Sequence, residues 1–363
     1  MIYLAYISIC FLGMQFLNVI LNLVFKQRIK NSRAENKELI SVLIPARNEE
    51  TNISSLLSDI HKSKNKNFEI IVFDDESADN TAKVVLDFAK QDKRIVLIQS
   101  DGLPEGWLGK NYACYQLAQK AQGKYLLFLD ADVRIEANVI NDAVSYLKRF
   151  NLKLLSIFPI QIQKTFGEKI SIPVMNYILL TLLPLVFVRI SPFKSHAAAN
   201  GQFMLFDAKT YKKVQPHLLF KNSAVEDIKI ARYLKKVKLK IACITGEKRI
   251  KCRMYKTYKE AVKGFSKNVF MFFGNLPLLA FLFWAFSAFG FIPVWLALPQ
   301  FLTYYFAVLV SVLLLYSLVG RQNSVINFLF FPFHLLFLIT ILGKAIEVKK
   351  HKKLEWKERN IYS

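Results

Sequence analysis

Between residues 39 and 269 short apolar runs alternate with longer amphipathic stretches. Ile40-Ser-Val-Leu-Ile44 is a compact apolar run that stops at Pro45, and residues 68–73, 94–98, 125–129 and 154–159 repeat the pattern. Runs of this length bounded by turn residues predict strands. Residues 49–62, 81–90, 111–121 and 136–150 carry helical spacing between them. Strands alternating with such helices predict an α/β fold with a mostly parallel sheet and helices on both faces. Further on, 203–206 reads as a strand, 225–236 as a basic helix and 256–273 as an amphipathic helix.

Outside that segment the rhythm is lost. Residues 2–25, 268–320 and 322–343 contain no Asp, Glu, Lys or Arg. About 20 apolar residues cross a bilayer, so the second run is long enough for two crossings. The third allows one more, weakened by Pro332 and His334. Residues 170–190 are also apolar, but Pro173 and Pro184 interrupt them. As a span they would put Asp130 and the later acidic pair on opposite sides of the membrane, so an interfacial or partly buried helix pair is expected. The first run lacks a basic leader and a small-residue cleavage site, which favours a retained anchor over a signal peptide. The expected organisation is an N-terminal anchor (1–26), a cytosolic α/β domain (39–270), membrane helices (275–343) and a basic cytosolic tail (344–363).

The chain is 53% hydrophobic with a net charge of +23. Its Lys and Arg cluster beside the apolar runs, which fits an anionic bilayer face. No zinc finger, RNP-like motif or basic heptad is present, and nucleic acid is not an expected partner. Cys10, Cys114, Cys243 and Cys252 form no CxxC pair, so buried free thiols are expected.

Polar clusters stand at the carboxyl ends of the predicted strands, where open α/β sheets bind ligands. Pro45-Ala-Arg47-Asn48-Glu49 follows the first, and Asn48 is placed to cap a helix. Asp74-Asp75-Glu-Ser77-Ala-Asp79 follows the second; Ser77 or Asp79 suits a cap, which leaves Asp74 and Asp75 free for a base or ribose hydroxyl. Asp130-Ala-Asp132 ends the fourth. Alternation along a strand would point both carboxylates to one side, as a hard divalent cation requires. Lys110, in Gly106-Trp107-Leu-Gly109-Lys110, sits at a helix start, where a cation is unfavourable unless an anion is near. Glu226-Asp227 opens the basic helix. An acidic pair suits a helix start on electrostatic grounds alone, which is the simpler account of Asp227 taken by itself; a carboxylate there is also a candidate general base.

Taken in order, Ile44-Pro45-Ala46-Arg47-Asn48-Glu49-Glu50, the Asp74–Asp75 cluster, Asp130-Ala-Asp132 and Glu226-Asp227 resemble the family-2 glycosyltransferases of GT-A fold. With Asn200-Gly201-Gln202-Phe203-Met204 and the tail around Trp356 and Arg359 the chain is most similar to membrane-bound carotenoid- and hopanoid-type lipid glycosyltransferases, such as diaponeurosporenoate glycosyltransferases. The resemblance implies donor contacts from Pro45, Arg47, Glu49, Asp75, Lys110, Asp130, Gly201 and Gln202. It implies Mg2+ or Mn2+ on Asp130 and Asp132, and Asp227 as the base of an inverting reaction. The implied partners are a nucleotide sugar, a UDP-sugar foremost, and a lipid hydroxyl or carboxyl acceptor within the phospholipid bilayer. The (Q/R)xxRW motif of processive synthases is absent; Lys267, Trp356 and Arg359 are candidates to close the donor site. Polyprenyl-phosphate sugar synthesis is the alternative enzyme reading, and an inactive membrane scaffold the alternative of another class.

A cell-membrane, multi-pass protein with a cytosolic catalytic domain and a basic cytosolic tail needs an even number of crossings between the two. Three apolar candidates lie there, so one, around 328–342, is expected to be re-entrant or interfacial. Residues 270–273, Trp284, Trp295, Tyr304 and Tyr305 are expected interfacial anchors.

Overall fold

The computed structural model describes residues 1–32, 36–63, 67–136, 138–351, 355–356 and 359–360, with side chains described as far as residue 350. Two compact units emerge. One is α/β and contains Gln27–Ile160, Val188–Cys252 and Glu355–Ser363; the other is helical and contains Met1–Lys26, Gln161–Phe187 and Arg253–Leu354.

The α/β unit is built on one sheet. Its strands are β1 (Ile40–Ala46), β2 (Phe68–Asp74), β3 (Ile95–Gln99), β4 (Tyr125–Leu129), β5 (Val133–Ile135), β6 (Leu154–Gln161), β7 (Phe203–Asp207) and β8 (Ile241–Cys252), in the order β3-β2-β1-β4-β7-β6-β8-β5. β3, β2, β1 and β4 run parallel. β7 is antiparallel to both β4 and β6, and β5 is antiparallel to β8. The sheet is therefore mixed, with a parallel half that follows the β–α alternation of the sequence. Ile40, Val42, Ile44, Val72, Leu127 and Leu129 are buried in the main core with Ile53, Leu56, Leu57 and Ile60 of the helix Glu50–His61. Full burial of one such side chain is worth about 1.5–3 kcal/mol, so this layer anchors the parallel half.

This topology fixes what lies at the reacting edge. Parallel β1, β2 and β4 deliver their carboxyl ends to one edge; antiparallel β7 delivers its amino end there. The Asp130 amide donates to Gln202 O at 3.2 Å, joining the end of β4 to the start of β7.

In the helical unit three helices are long and apolar enough to cross a membrane among the described residues: Ile2–Val24, Pro299–Val319 and Phe331–Lys350. Pro277–Phe289 and Phe291–Ala297 form a further pair bent by 55°. The segment around 328–342, expected to be re-entrant or interfacial, lies mostly in one continuous helix, Phe331–His351, of spanning length. Pro332 sits in the first turn of the helix Phe331–His351, where its missing N–H breaks no intrahelical bond. The bend falls instead at Gly290. Residues 170–190 form Pro173–Leu182 and Val186–Ile190 after a short helix, Phe166–Ser171. The expected helix over 256–273 divides into Tyr258–Phe265 and a 3-10 turn, Val269–Phe273.

Asn22 of the first helix spans the break near Pro184. Its Nδ2 donates to Leu180 O at 3.0 Å and Leu183 O at 2.9 Å, and its Oδ1 accepts the Leu185 N–H at 2.7 Å. Of the expected aromatic anchors, Trp295 and Tyr304 are exposed, whereas Tyr305 is buried and the Trp284 indole donates to Leu335 O. Lys267 lies in the turn after Tyr258–Phe265, and the side chains of Trp356 and Arg359 fall outside the described residues.

Candidate active site

The loops after β1 and β2 brace one another. Arg47 Nη1 donates to the Asp75 carbonyl and lies 3.8 Å from both Asp75 Oδ2 and Glu76 Oε2. Asn48 is not a helix cap, which corrects the expectation from sequence. It adopts φ +52°, donates its N–H to Ser77 Oγ and accepts the Ala78 N–H on Oδ1. The orphan amides of the helix Glu50–His61 are met from the opposite loop: Glu49 N–H donates to Thr81 Oγ1 and Glu50 N–H to Asp79 Oδ2. Glu50 returns the contact by accepting the Asn80 N–H. Two helix starts thus cap each other, which holds Arg47 beside Asp75 without using either carboxylate of Asp74 or Asp75 for capping. Pro45 lies in β1 opposite Phe73, and the Glu49 carboxylate accepts from Asn52 Nδ2.

Asp130, Ala131 and Asp132 form a turn between β4 and β5. The two carboxylates are gathered by that turn, not by alternation along a strand as the sequence suggested. Lys110 Nζ binds both oxygens of Asp130, at 2.6 and 2.8 Å, and stands 4.0 Å from Glu226 Oε1. Burial alone would lower the pKa of Lys110; the charges of Asp130 and Glu226 reverse that and raise it. Lys110 is a permanent cation at the start of the helix Gly109–Lys120, and Asn111 fixes that start by donating to the carbonyls of Phe220, Lys221 and Ser223.

Among the described residues no cation forms an ion pair with Asp132, on which Lys110 acts only at longer range. Burial, with the charges of Asp130 and Glu49, pushes its carboxyl up to about 7. Its Oδ1 is buried without a hydrogen-bond partner. An orphaned buried carboxylate oxygen beside a second carboxylate is what a divalent cation with oxygen ligands would satisfy. Among the described residues no cluster of three or more His, Cys, Asp or Glu side chains is arranged around a metal position. An ion here would draw its remaining ligands from a bound phosphate or water, as Mg2+ commonly does.

Gly201 and Gln202 precede β7. Gln202 is buried and its Nε2 donates to Cys252 Sγ at 2.9 Å, so the side chain is held against β8. Gly201 donates its N–H to Asp227 Oδ2 at 3.0 Å. A Cβ at Gly201 would lie 3.1 Å from Lys110 Nζ, 3.4 Å from Glu226 Oε1 and 3.8 Å from Asp227 Oδ2. The helix Glu226–Lys236 brings both acids to this point. Burial raises the pKa of Asp227 against the lowering effect of the Ile228 and Gly201 amides. Burial also pushes Glu226 up to about 7, opposed by Lys110 and aided by Asp227 and Asp130.

The structure gathers Arg47 and Asp75 at one pair of strand ends, and Lys110, Asp130, Gly201, Glu226 and Asp227 around another in the same unit. Sequence reasoning missed Cys252, which it treated only as a buried thiol, and did not separate Glu226 from its neighbour. The period-two spacing of Ile250 and Cys252 at the end of a strand was the available signal for the first. Nothing in the sequence distinguishes the hydrogen bonding of the two acids.

Residues 41–207 match the family model for Glycosyl transferase family 2. The 4,4'-diaponeurosporenoate glycosyltransferase of Staphylococcus haemolyticus (strain JCSC1435) is 27% identical over 243 residues, covering 66% of this chain and 63% of that protein. The protein of the same name from Staphylococcus aureus (strain USA300) is 28% identical over 241 residues, covering 64% and 61%. The chain thus spans less than two thirds of the curated relatives it matches. Among solved structures, the mannosyltransferase PcManGT from Pyrobaculum calidifontis, in complex with GDP-Man and Mn2+, aligns with a TM-score of 0.56 at 16% identity, covering 94% of this chain and 99% of that one.

Proposed function

We propose that this chain, which carries a family-2 glycosyltransferase domain of GT-A fold, moves one sugar from a nucleotide-sugar donor to a membrane lipid, with inversion at the anomeric carbon. The observation that carries the reading is the meeting of Lys110, Asp130, Gly201 and the Glu226–Asp227 pair at one sheet edge, with the orphaned Asp132 oxygen beside them. Nothing in a membrane scaffold requires four carboxylates around a single lysine.

Arg47 and Asp75 hold the nucleotide, a UDP-sugar foremost, and Pro45 and Glu49 shape the loop beneath it. Asp130 and Asp132 hold the metal, Mg2+ or Mn2+, which when bound offsets charge building on the departing diphosphate. Lys110 supplies a fixed positive charge at the same place without proton exchange, because its neighbours keep it protonated. Gly201 leaves room for the sugar beside the acids. A carboxylate of the Glu226–Asp227 pair removes the acceptor's proton as its oxygen attacks from the face opposite the diphosphate.

The lipid acceptor and the membrane setting rest on the three long apolar helices and on the names of the Staphylococcus relatives. If the bent pair Pro277–Ala297 is re-entrant, two crossings separate the α/β unit from the basic tail, and the positive-inside rule puts both in the cytoplasm. Membranes containing the chain, supplied with UDP- and GDP-sugars and Mn2+, should yield a glycosylated lipid by mass spectrometry, and membranes containing Asp132→Ala should not. Equal product from both would refute the site.

A further inference from the structure

Lys26 ties together the ends of two long helices. Its Nζ donates to Val319 O at 2.6 Å, so Ile2–Val24 and Pro299–Val319 end at one level. The basic residues Lys26, Arg28 and Lys30 mark that level as the cytosolic face. Pro299–Val319 therefore runs inward from the far face, and the bent pair Pro277–Ala297 has to deliver the chain there. The ring contacts agree. Phe283 and Phe286 of the pair pack on Phe11, each with centroids 5.6 Å apart. Phe11 lies about 20 Å along its helix from Val24, beyond the midplane of a hydrocarbon core about 30 Å thick. A re-entrant pair would have to return from that depth to the cytosolic face, where Pro299–Val319 does not begin.

The helix Phe331–His351 begins soon after Val319, past the short helix Ser324–Leu329. Charged elements flank it. His334 is buried and its Nε2 donates to Lys169 O at 2.9 Å. The short helix it touches, Phe166–Ser171, also carries Glu168, whose carboxylate binds Arg253 Nε at 2.7 Å. Phe337 packs its ring on Tyr258 and Phe265, the two ends of a helix that exposes Lys259, Glu260 and Lys263. The charge-free part of Phe331–His351 ends at Gly343 and is about 20 Å long, short of a bilayer core of about 30 Å. Lys344, Glu347, Lys349 and Lys350 follow at exposed positions. A crossing would therefore put either these charges or the flanking ones into hydrocarbon, where charge is costly. The helix is also two-faced. Phe331, His334, Phe337, Leu338, Ile341 and Ala345 are buried, whereas Phe333, Leu336 and Ile346 stand exposed. Exposed apolar side chains beside a lysine-rich end suit the boundary between acyl chains and anionic headgroups.

We propose that Phe331–His351 lies along the cytosolic interface of the bilayer, with the anionic lipid surface as its partner, and that the bent pair Pro277–Ala297 crosses as a broken span. The inference rests on the membrane setting proposed above and not on the transfer reaction. It gives two crossings between the α/β unit and the basic tail by another route than a re-entrant bent pair. Residues from Glu355, which belong to the α/β unit, then return to its side of the membrane.

The test uses the full chain in a Cys10→Ser background, because Cys10 is exposed and Cys114, Cys243 and Cys252 are buried. Gln300→Cys and Lys350→Cys, both at exposed positions, are treated with a membrane-impermeant maleimide. Gln300→Cys should label in intact cells, and Lys350→Cys only after the cells are permeabilised. Labelling of Lys350→Cys in intact cells overturns the interfacial helix. Labelling of Gln300→Cys only after permeabilisation overturns the crossing of the bent pair. Depth is read separately, from a bimane fluorophore attached in Leu336→Cys in vesicles of phosphatidylglycerol and phosphatidylethanolamine. Bromine atoms near the headgroup end of the acyl chains should quench it more than bromine atoms near the chain ends. The reverse order overturns the interfacial placement, even where Lys350→Cys does not accumulate. Neither readout involves sugar transfer, so loss of the transfer reading leaves this result intact. A chain that carbonate washing strips from the membrane overturns the membrane setting and this inference with it.

Discussion

Gly201→Ala probes the centre of the site with a single methyl group. The glycine has no left-handed φ, so alanine suits its backbone; the cost lies in what the methyl meets. Its carbon would stand 3.1 Å from Lys110 Nζ, too close for ordinary contact, and 3.4 Å from Glu226 Oε1. Lys110 Nζ is the end of a flexible side chain and can retreat by a few tenths of an ångström. That retreat lengthens its 2.6 Å contact with Asp130. At an effective dielectric of about 20, a retreat of about 0.5 Å forfeits about 1 kcal/mol. Stability should therefore fall by about that much, while activity falls further, because misplacing a reacting group by as little as 1 Å can cost about 10²-fold. The assays are thermal unfolding of the full-length protein in detergent and kcat/KM for transfer to lipid. Adding Lys110→Met should remove the steric conflict, so the two substitutions should couple by about 1 kcal/mol in a double-mutant cycle. Wild-type kcat/KM in Gly201→Ala would refute the placement of Gly201 at the reacting edge, and additivity with Lys110→Met would refute the electrostatic cause.

Asp132→Asn should stabilise the EDTA-treated protein in a pH-dependent way. The folded carboxyl is raised from 3.8 to about 7, so wild type loses stability as pH rises through that window and the gain from Asn should appear there, absent below it; unfolding midpoints that differ equally at pH 4 and pH 8 would contradict this. The same variant should lose most of the stabilisation that Mn2+ gives wild type, read from the shift in midpoint on adding the metal. Asn22→Ala strips partners from the carbonyls of Leu180 and Leu183 and the amide of Leu185. It should cost about 1–3 kcal/mol, seen as a lower unfolding midpoint in detergent, and an unchanged midpoint would show those groups satisfied otherwise. Gly123→Ala would put a carbon 2.5 Å from Ser41 Oγ and 2.6 Å from Ser41 N in β1. Because backbone cannot yield as Lys110 can, this variant should fail to accumulate as folded protein, in contrast to Gly201→Ala.

The parallel half of the sheet was legible because β1, β2 and β4 are largely buried on both faces and therefore apolar apart from Ser41 and Glu69 near their starts, with polar clusters where they end. β8 escaped notice for the opposite reason. Ile241–Cys252 carries Lys248, Arg249 and Lys251, and Gly246 at φ +69° interrupts it. β5 has only three residues and depends on its pairing with β8. The antiparallel additions were hidden because local sequence does not specify a distant partner. In the site, residue types at strand ends could be read, but hydrogen-bond partners could not. Asn48 looked like a cap because Asn commonly is one; the tertiary contact with Ser77 and Ala78 outcompeted that role. The distinction between Glu226 and Asp227 depends on where Gly201 falls, 26 residues earlier in the chain.

The helical unit is assembled from three separated stretches of chain, and the helix Ile2–Val24 that begins it packs on Pro173–Leu182, Phe291–Ala297 and Leu302–Val319. During synthesis that first helix exists long before its partners do. All eight strands of the α/β sheet have been made by Cys252, whereas the bundle cannot close until residues beyond 300 have left the ribosome. Polar side chains such as Asn22 spend that interval without their partners, in a setting where unpaired hydrogen-bonding groups are costly. A ribosome stalled after Cys252 has cleared the exit tunnel and before residue 300 has done so should therefore hold a folded α/β sheet and an unfinished bundle, and this interval is where an insertion factor or chaperone would find its client.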